Sequence, residues 1–170
     1  SPTMQKALNL KVKYRESFRP FAPAILREDL ADWFDVDIDS PYMSFVATIH
    51  ERIVREINFD EEKISGLGKQ DVVRSEIPAV THVDYSARIQ TVHADTNARF
   101  YGLIEKFELL TGCPMLVNTS FNIRGEPIVN SVGDAFKCFM GTDMDALVIG
   151  NFVLIKNKQN PDLAVNYQQH

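Results

Sequence analysis

The sequence predicts a mixed α/β or α+β domain, with helices flanking one mixed β-sheet. Short apolar runs bounded by turn residues indicate strands, and two amphipathic segments between such runs indicate helices. The chain has 170 residues, of which 45% are hydrophobic and 24% charged, an ordinary globular composition. The length therefore predicts a single domain over residues 1–170.

The first half of the chain predicts short strands and one short helix. Residues 20–28 read as a strand whose two prolines place it at a sheet edge or confine the prolines to the strand's ends. Residues 29–36 predict a short helix, and residues 42–53 alternate in polarity as a half-buried strand does. A charged stretch over 58–75 predicts a mobile loop, and residues 77–92 predict one or two strands.

The second half predicts two helices. Over residues 97–110, apolar side chains recur every three or four positions, and Gly112 suits a C-terminal cap. This apolar stripe consists of Phe100, Leu103, Ile104, Phe107 and Leu110. A strand is expected at 115–117, and a capping-box pattern that begins at Ser131 opens the second helix, which ends at Gly141.

The end of the chain predicts one more strand and a tail. Residues 146–155 are apolar and are interrupted by Gly150 and Asn151, which mark a bulge or a turn. The tail, residues 156–170, is polar and is expected to be frayed.

The charge distribution favours a small anionic ligand. The formal net charge is -5, which argues against nucleic acid as a partner. Residues 1–27 nevertheless carry six basic side chains and one acidic side chain, a concentration that suits a phosphate. No apolar run approaches the roughly 18 to 20 residues that span a bilayer, so we expect a cytoplasmic protein without a membrane partner. Cys113 and Cys138 suggest buried thiols, and no metal-ligand motif is present.

The first candidate site lies in residues 11–21. If this segment is extended, Lys11, Lys13 and Arg15 share one side of it, and Arg19 follows after a turn. Converging lysine and arginine side chains suit a phosphate, since lysine acts as a point charge and arginine can bind two oxygens at once. A solvated charged strand explains the pattern equally well by charge alone.

The second candidate site lies in residues 82–90. His82 and Asp84 could be metal ligands or an acid and base pair, although a lone histidine is more often structural. Arg88 and Gln90 are two residues apart and are expected on one face of a strand.

The third candidate site directly follows the strand at 115–117. Its polar residues are either a surface turn or a ligand site at the carboxyl end of a strand. They are Asn118, Thr119, Ser120, Asn122 and Arg124. Ser120 and Asn122 point the same way in an extended chain. No base is paired with Ser120 in the sequence, so we do not expect a nucleophile.

Three stretches in order resemble the C-terminal region of the O-carbamoyltransferases, which include nodulation proteins and antibiotic-tailoring enzymes. They are KYRESFRPFAP (13–23), PAVTHVDYSARIQTV (78–92) and NTSFNIRGEPIV (118–129), and the resemblance covers about residues 7–155. It implies a YrdC-like fold, a twisted mixed sheet with flanking helices, similar to the enzymes that make threonylcarbamoyl-adenylate for tRNA modification.

The resemblance also implies a reaction and residues that perform it. In that family, ATP and carbamoyl phosphate form carbamoyl-adenylate in this domain, with Mg²⁺ accompanying the nucleotide. Lys13-x-Arg15 and Ser120-x-Asn122 stand at the positions of the family's nucleotide-binding elements. The implied catalytic residues are Arg88, Lys13 and Arg15. The implied substrate- and nucleotide-binding residues are Arg19, His82, Asp84, Gln90, Asn118, Thr119, Ser120, Asn122 and Arg124.

The resemblance places the last step of the reaction elsewhere. A separate N-terminal, metal-binding domain passes the carbamoyl group to a hydroxyl-bearing small molecule, and we expect this chain to be a fragment that lacks it. One departure from the family is Tyr85, where a glycine is common. Two other functions stay open: a stand-alone threonylcarbamoyl-adenylate synthase and a non-catalytic nucleotide-binding module.

Overall fold

A computed structural model describes residues 1–58, 63–66, 68 and 72–164 of the chain. Much of the predicted loop at 58–75 and the end of the predicted tail therefore lie outside the described residues. The chain divides into two compact units. The first comprises Ser1–Gln5 and Pro20–Thr119, and the second comprises Lys6–Arg19 and Ser120–His170.

The first unit is built on a mixed four-stranded sheet. Its strands are β1 (Ala22–Leu26), β2 (Phe45–Thr48), β3 (Ser86–Val92) and β4 (Met115–Asn118). Their order across the sheet is β2-β3-β1-β4, with β1 parallel to β3 and the other two pairs antiparallel. The predicted mixed sheet of an α+β fold is confirmed, and the segment 77–92 supplies one strand.

The edge placement predicted for β1 is wrong, because β1 lies between β3 and β4 and every residue in it is buried. The register of β1 against β3 explains why a proline is tolerated at position 23 of a central strand. Phe21 N donates to Ala79 O on one side of the strand, while Leu26 N donates to Pro114 O on the other. By alternation the nitrogen of Pro23 faces the β3 side, where pairing begins only at Ala24, so its missing N–H interrupts no ladder bond.

Four α-helices lie within the described residues. They are α1 (Met4–Leu8), α2 (Leu30–Trp33), α3 (Ala98–Thr111) and α4 (Val132–Met140). Short 3₁₀ turns occupy Arg27–Asp29, Glu51–Ile53, Lys156–Lys158 and Pro161–Leu163, and Asn9–Lys13 forms a π-helical turn. In the described part of the chain, no helix is long and apolar enough to cross a membrane.

Helix α3 confirms the prediction from periodicity. The Asn97 side chain accepts a hydrogen bond from Phe100 N at 3.2 Å, and Gly112 ends the helix in the left-handed conformation with φ of 72°. Ile104 is fully buried in a core cluster with residues of β1 and β3, but Leu103 and Leu110 are 57% and 85% exposed. The apolar stripe is therefore only partly covered in this unit.

The second unit packs α4 against a hairpin. Ser131 and Asp134 form the predicted capping box. The core contains Ala135, Phe139, Met140 and Leu147. The hairpin consists of β5 (Ala146–Ile149) and β6 (Phe152–Ile155), which are antiparallel. Gly150 has φ of 58°, so the interruption predicted as a bulge or a turn is a turn.

The predicted fraying of the tail is wrong at its first residue. The Lys156 ammonium donates to Phe139 O and, at 2.7 Å, to Thr142 O. It also lies 4.3 Å from the centroid of the Phe139 ring. Lys156 thereby satisfies carbonyls at the C-terminal end of α4, where a cation is favoured.

Candidate functional site

The side chain of Lys13 is the centre of a polar cluster in the second unit. Its ammonium donates to Ser120 O at 2.5 Å, Asn122 O at 2.8 Å and Asn122 Oδ1 at 2.7 Å, and lies 3.3 Å from Ser120 Oγ. Lys13 is only 4% exposed. The structure thus brings together two of the elements selected from the sequence, although they are 107 residues apart.

The surroundings of this ammonium disfavour its positive charge. Burial lowers the pKa of Lys13, and the nearby Arg15 guanidinium lowers the pKa further. Four neutral oxygens surround the ammonium but no carboxylate is among them, so its positive charge is solvated rather than neutralised. A phosphate oxygen could supply the missing negative charge.

Tyr14, which lies between Lys13 and Arg15, has a left-handed backbone conformation. Residues 11–15 do not meet the condition of an extended segment, because Asn9–Lys13 forms a π-helical turn and Tyr14 follows it with φ of 48° and ψ of 50°. The Tyr14 hydroxyl donates to Gly141 O at 2.9 Å, which holds this costly backbone conformation. Lys11 and Lys13 do not share the face of a strand, since Lys11 is exposed and Lys13 is buried.

Asn9 organises the basic segment that follows, and the sequence analysis missed it. Its Oδ1 accepts from Arg15 Nε at 2.6 Å, and its Nδ2 donates to Ser17 O at 3.1 Å and to Arg19 O at 2.7 Å. Asn9 is fully buried. The available signal was an asparagine set among apolar residues in the stretch ALNL, which calls for internal hydrogen bonds.

The loop after β4 is fixed by its own polar groups. Ser120 Oγ donates to Asn122 Oδ1 at 2.7 Å, and Asn122 Nδ2 donates to Glu126 O at 2.9 Å. Gly125 has φ of 84°, a conformation that favours glycine. The expected common direction of Ser120 and Asn122 is present, but it comes from a bend and not from a strand.

Arg124 and Arg19 lie around this cluster. The Arg124 side chain is 69% exposed and pairs with Glu16 at 3.6 Å, while its backbone N–H donates to Lys13 O at 3.2 Å. The backbone N–H of Arg19 donates to Glu16 O at 3.3 Å, and Arg19 is exposed. An exposed pair such as Arg124–Glu16 contributes little stability, so the Arg124 guanidinium can turn toward a ligand at small cost.

In the first unit, His82 and Asp84 meet at the hydroxyl of Ser86. Ser86 Oγ donates to Asp84 Oδ1 at 2.6 Å and lies 2.9 Å from His82 Nδ1. Ser86 Oγ donates its proton to Asp84, so it can only accept a hydrogen bond from His82 Nδ1. A neutral His82 therefore carries its proton on Nδ1, which leaves Nε2 as an acceptor. Burial lowers the pKa of His82, although Asp84 opposes this effect.

The other selected residues of the first unit lie on or beside its sheet. Arg88 and Gln90 share one face of β3, as predicted, with buried Ile89 between them on the other face. Asn118 Nδ2 donates to Gln90 Oε1, and Gln90 Nε2 donates to Pro41 O at 3.0 Å. Thr119 is exposed directly after β4.

No group of three or more histidine, cysteine, aspartate or glutamate side chains within the described ranges is arranged to hold a metal ion. Cys113 and Cys138 are free thiols. Burial raises the pKa of both, so neither is primed as a nucleophile.

The family model described as carbamoyltransferase C-terminus matches residues 1–156 of the chain. The chain belongs to this carbamoyltransferase family. The resemblance inferred from three short stretches is therefore confirmed, and it extends over more than nine tenths of the sequence.

Three relatives illustrate the family. Protein sll1178 of Synechocystis is 55% identical over 157 residues, covering 92% of this chain and 26% of that protein. Nodulation protein NolO of Bradyrhizobium diazoefficiens is 41% identical over 152 residues, covering 88% and 24%. The 3'-hydroxymethylcephem-O-carbamoyltransferase of Amycolatopsis lactamdurans is 33% identical over 141 residues, covering 83% and 23%. The chain thus spans about a quarter of the length of these relatives.

Proposed function

We propose that this chain binds ATP and carbamoyl phosphate and forms carbamoyl-adenylate, from which a hydroxyl-bearing small molecule is O-carbamoylated. The observation that carries the proposal is the convergence of Lys13 with Ser120 and Asn122 in a member of the carbamoyltransferase family. The sequence resemblance assigns both of these elements to nucleotide binding.

The Lys13 cluster suits the charge changes of adenylation. In the balanced reaction, ATP, carbamoyl phosphate and water give carbamoyl-adenylate, pyrophosphate and inorganic phosphate. Water first breaks the bond between the carbamoyl group and phosphate, which releases inorganic phosphate and leaves carbamate. A carbamate oxygen then forms a bond to the α-phosphorus of ATP, and the bond from that phosphorus to the pyrophosphate oxygen breaks. Negative charge shifts onto phosphate oxygens, so fixed cations such as Lys13 and Arg15 lower the barrier by electrostatic stabilisation.

The cluster can accept a phosphate oxygen without being rebuilt. An ammonium has three hydrogens, and Lys13 shares them among four protein oxygens. The contact to Ser120 Oγ, at 3.3 Å, is the longest of the four. On this proposal a phosphate oxygen replaces it, and Ser120 and Asn122 hold oxygens of the nucleotide.

The remaining selected residues receive supporting roles. Arg88 orients carbamoyl phosphate or the adenylate, and His82 Nε2 is an acceptor for a substrate N–H or O–H group. Gln90 and Asn118 fix the sheet surface beside Arg88. Peripheral contacts to substrate are assigned to Arg19, Asp84, Thr119 and Arg124.

We assign Mg²⁺ to the nucleotide. The described residues offer no carboxylate cluster that could hold the ion by itself. Magnesium is commonly bound through substrate phosphates with few protein ligands, so the polar groups around Lys13 are compatible with its arrival as MgATP. A transition metal and the acceptor site are proposed for a separate N-terminal domain of a longer protein.

Pyrophosphate release tests this proposal. The purified chain is incubated with MgATP and carbamoyl phosphate, and carbamoyl-adenylate is sought by mass spectrometry. Arg88→Ala and Ser120→Ala should each slow pyrophosphate release at least about 10-fold without lowering the thermal midpoint. Arg99→Ala and Ser44→Ala, at exposed positions, serve as matched controls.

The same assay separates the competing functions. Pyrophosphate release that needs threonine and bicarbonate, and not carbamoyl phosphate, would indicate a threonylcarbamoyl-adenylate synthase. ATP binding by calorimetry without any pyrophosphate release would indicate a non-catalytic nucleotide-binding module. Unchanged rates in both site variants would overturn the assignment of Arg88 and Ser120.

A further inference from the structure

Asn9 holds Arg15 at two points. Its side-chain Oδ1 accepts from Arg15 Nε at 2.6 Å, and its backbone O accepts from Arg15 N at 3.0 Å. The same backbone oxygen also receives the N–H of Tyr14. One buried residue therefore fixes both the main chain and the guanidinium plane of Arg15.

The side-chain amide of Asn9 also bonds to the backbone of the segment that carries Arg19, the next basic residue. Its two Nδ2 hydrogens bind Ser17 O at 3.1 Å and Arg19 O at 2.7 Å. Asn9 itself is 0% exposed, and both polar atoms of its side chain are used in these hydrogen bonds. An aspartate of the same shape would lose both donors, and a glutamine would need room for one more methylene.

This arrangement keeps like charges close. Burial lowers the pKa of Arg15, and the neighbouring positive charge of Arg19 lowers the pKa further. Repulsion of this kind opposes the fold of the segment unless other contacts hold it, and the hydrogen bonds of Asn9 do so. A guanidinium that is held in place before binding, as Asn9 holds that of Arg15, reduces the entropy cost of capturing an anion.

We infer that Asn9 is a positioning residue that orients the guanidinium of Arg15 for a phosphate group of the substrate. The identity of the ligand rests on the proposed function, whereas the hydrogen bond between Asn9 and Arg15 does not depend on it. Because Asn9 acts through Arg15, substituting Asn9 should have little effect on ligand binding once Arg15 is replaced by a residue that has no Nε–H group.

A ligand-free measurement tests the geometry. In ¹H–¹⁵N spectra of the chain, the Nε–H signal of Arg15, assigned by its loss in Arg15→Lys, should exchange slowly with water. Asn9→Ala should accelerate that exchange at least about 10-fold, because the Nε–H group loses the buried side-chain oxygen that accepts its hydrogen bond. Thr142→Ala is the matched control, since Thr142 is a buried polar residue of the same unit that bonds to Cys138 O and Phe139 O. Equal exchange in the Asn9→Ala variant and the wild type would overturn the inference.

A double-mutant cycle tests the consequence for binding. With MgATP and carbamoyl phosphate as separate probes, Asn9→Ala should raise the Kd of at least one probe by about 10-fold. In the Arg15→Lys background, which lacks an Nε–H group, Asn9→Ala should add less than about 2-fold. Full additivity would mean that Asn9 acts on overall stability alone and would refute the positioning role. If the wild type binds neither probe, the proposed function fails, whereas the exchange measurement still decides the role of Asn9.

Discussion

The Lys13 ammonium lies 2.7 Å from Asn122 Oδ1, so two segments that are 109 residues apart in sequence meet at one buried charge. Ser120 and Asn122 also offer their backbone carbonyls to this ammonium. The loop after β4 is therefore shaped around the lysine, and removing the Lys13 ammonium should affect both stability and ligand binding.

Lys13→Met should destabilise the fold. The substitution keeps a similar chain length but leaves three close acceptors around Lys13 without their donor, which should lower the free energy of unfolding by about 2–4 kcal/mol. Urea titration measures the change. Lys11→Met removes the same charge from an exposed side chain and should cost less than about 0.5 kcal/mol. Equal losses in the two variants would show that the buried contacts of Lys13 contribute nothing.

Tyr85→Gly should stabilise the protein. Tyr85 has φ of 61°, a left-handed conformation that costs a non-glycine residue about 1–2 kcal/mol, and the O-carbamoyltransferase pattern often has glycine here. After the entropy cost of glycine, we expect a net gain of about 0.5 kcal/mol in the free energy of unfolding. Tyr42→Gly is the control, because Tyr42 is exposed and has no positive φ. It should be neutral or destabilising, and a loss of stability in Tyr85→Gly would contradict the assigned strain.

Asp29→Asn should stabilise the protein at neutral pH. Burial raises the pKa of Asp29 to about 6, and the negative charges of Glu108, Glu28 and Asp32 add to this effect. Because the folded-state pKa is raised, stability from this group is full below the unfolded value near 4 and is lost as the pH rises through about 6.

Because asparagine cannot ionise, the free energy of unfolding of Asp29→Asn at pH 7 should exceed that of the wild type by about 1 kcal/mol, a figure reduced for solvent screening. Thermal unfolding from pH 4 to pH 8 measures the effect. The advantage over the wild type should shrink as the pH falls below about 6 and vanish near pH 4. Asp35→Asn, at an exposed position, is the control and should change the free energy of unfolding at pH 7 by less than about 0.5 kcal/mol. A pH-independent gain in Asp29→Asn would contradict the assignment.

Lys156→Met should loosen the C-terminal end of α4. The ammonium of Lys156 satisfies Phe139 O and Thr142 O, and its removal should lower the free energy of unfolding by about 1–2 kcal/mol. Hydrogen exchange should accelerate at the amides of the last turn of α4. Lys158→Met, at an exposed lysine two residues later, provides the control. Matching exchange rates in both variants would argue against the capping role.

Helices and turns were predictable from the sequence where the residues that specify them lie within one short segment. Helix α3 has a repeating apolar period and a capping glycine, and α4 has a capping box whose two members are three residues apart. Such signals act over a single helical turn, so neighbouring residues suffice to predict them. The turn at Gly150 was likewise detectable from the glycine that it requires.

Long-range partners could not be predicted in the same way. Pro20 and Pro23 predicted either an edge strand or prolines at the ends of a strand, and the sequence could not show that the register of β3 leaves the nitrogen of Pro23 outside the ladder. The basic segment suggested a strand because alternating charges do not distinguish an extended chain from a helical turn that is held by contacts elsewhere. Tyr14 adopts its left-handed conformation through its hydrogen bond to Gly141, 127 residues later.

The sequence by itself determined the family and the class of fold, and it predicted which side chains bind phosphate. Only the tertiary structure decided that Lys13 is buried against Ser120 and Asn122, and that Asn9 fixes Arg15. The physical reason is that propensity and periodicity act between near neighbours, whereas the partners of a buried polar group depend on which distant segments pack around it.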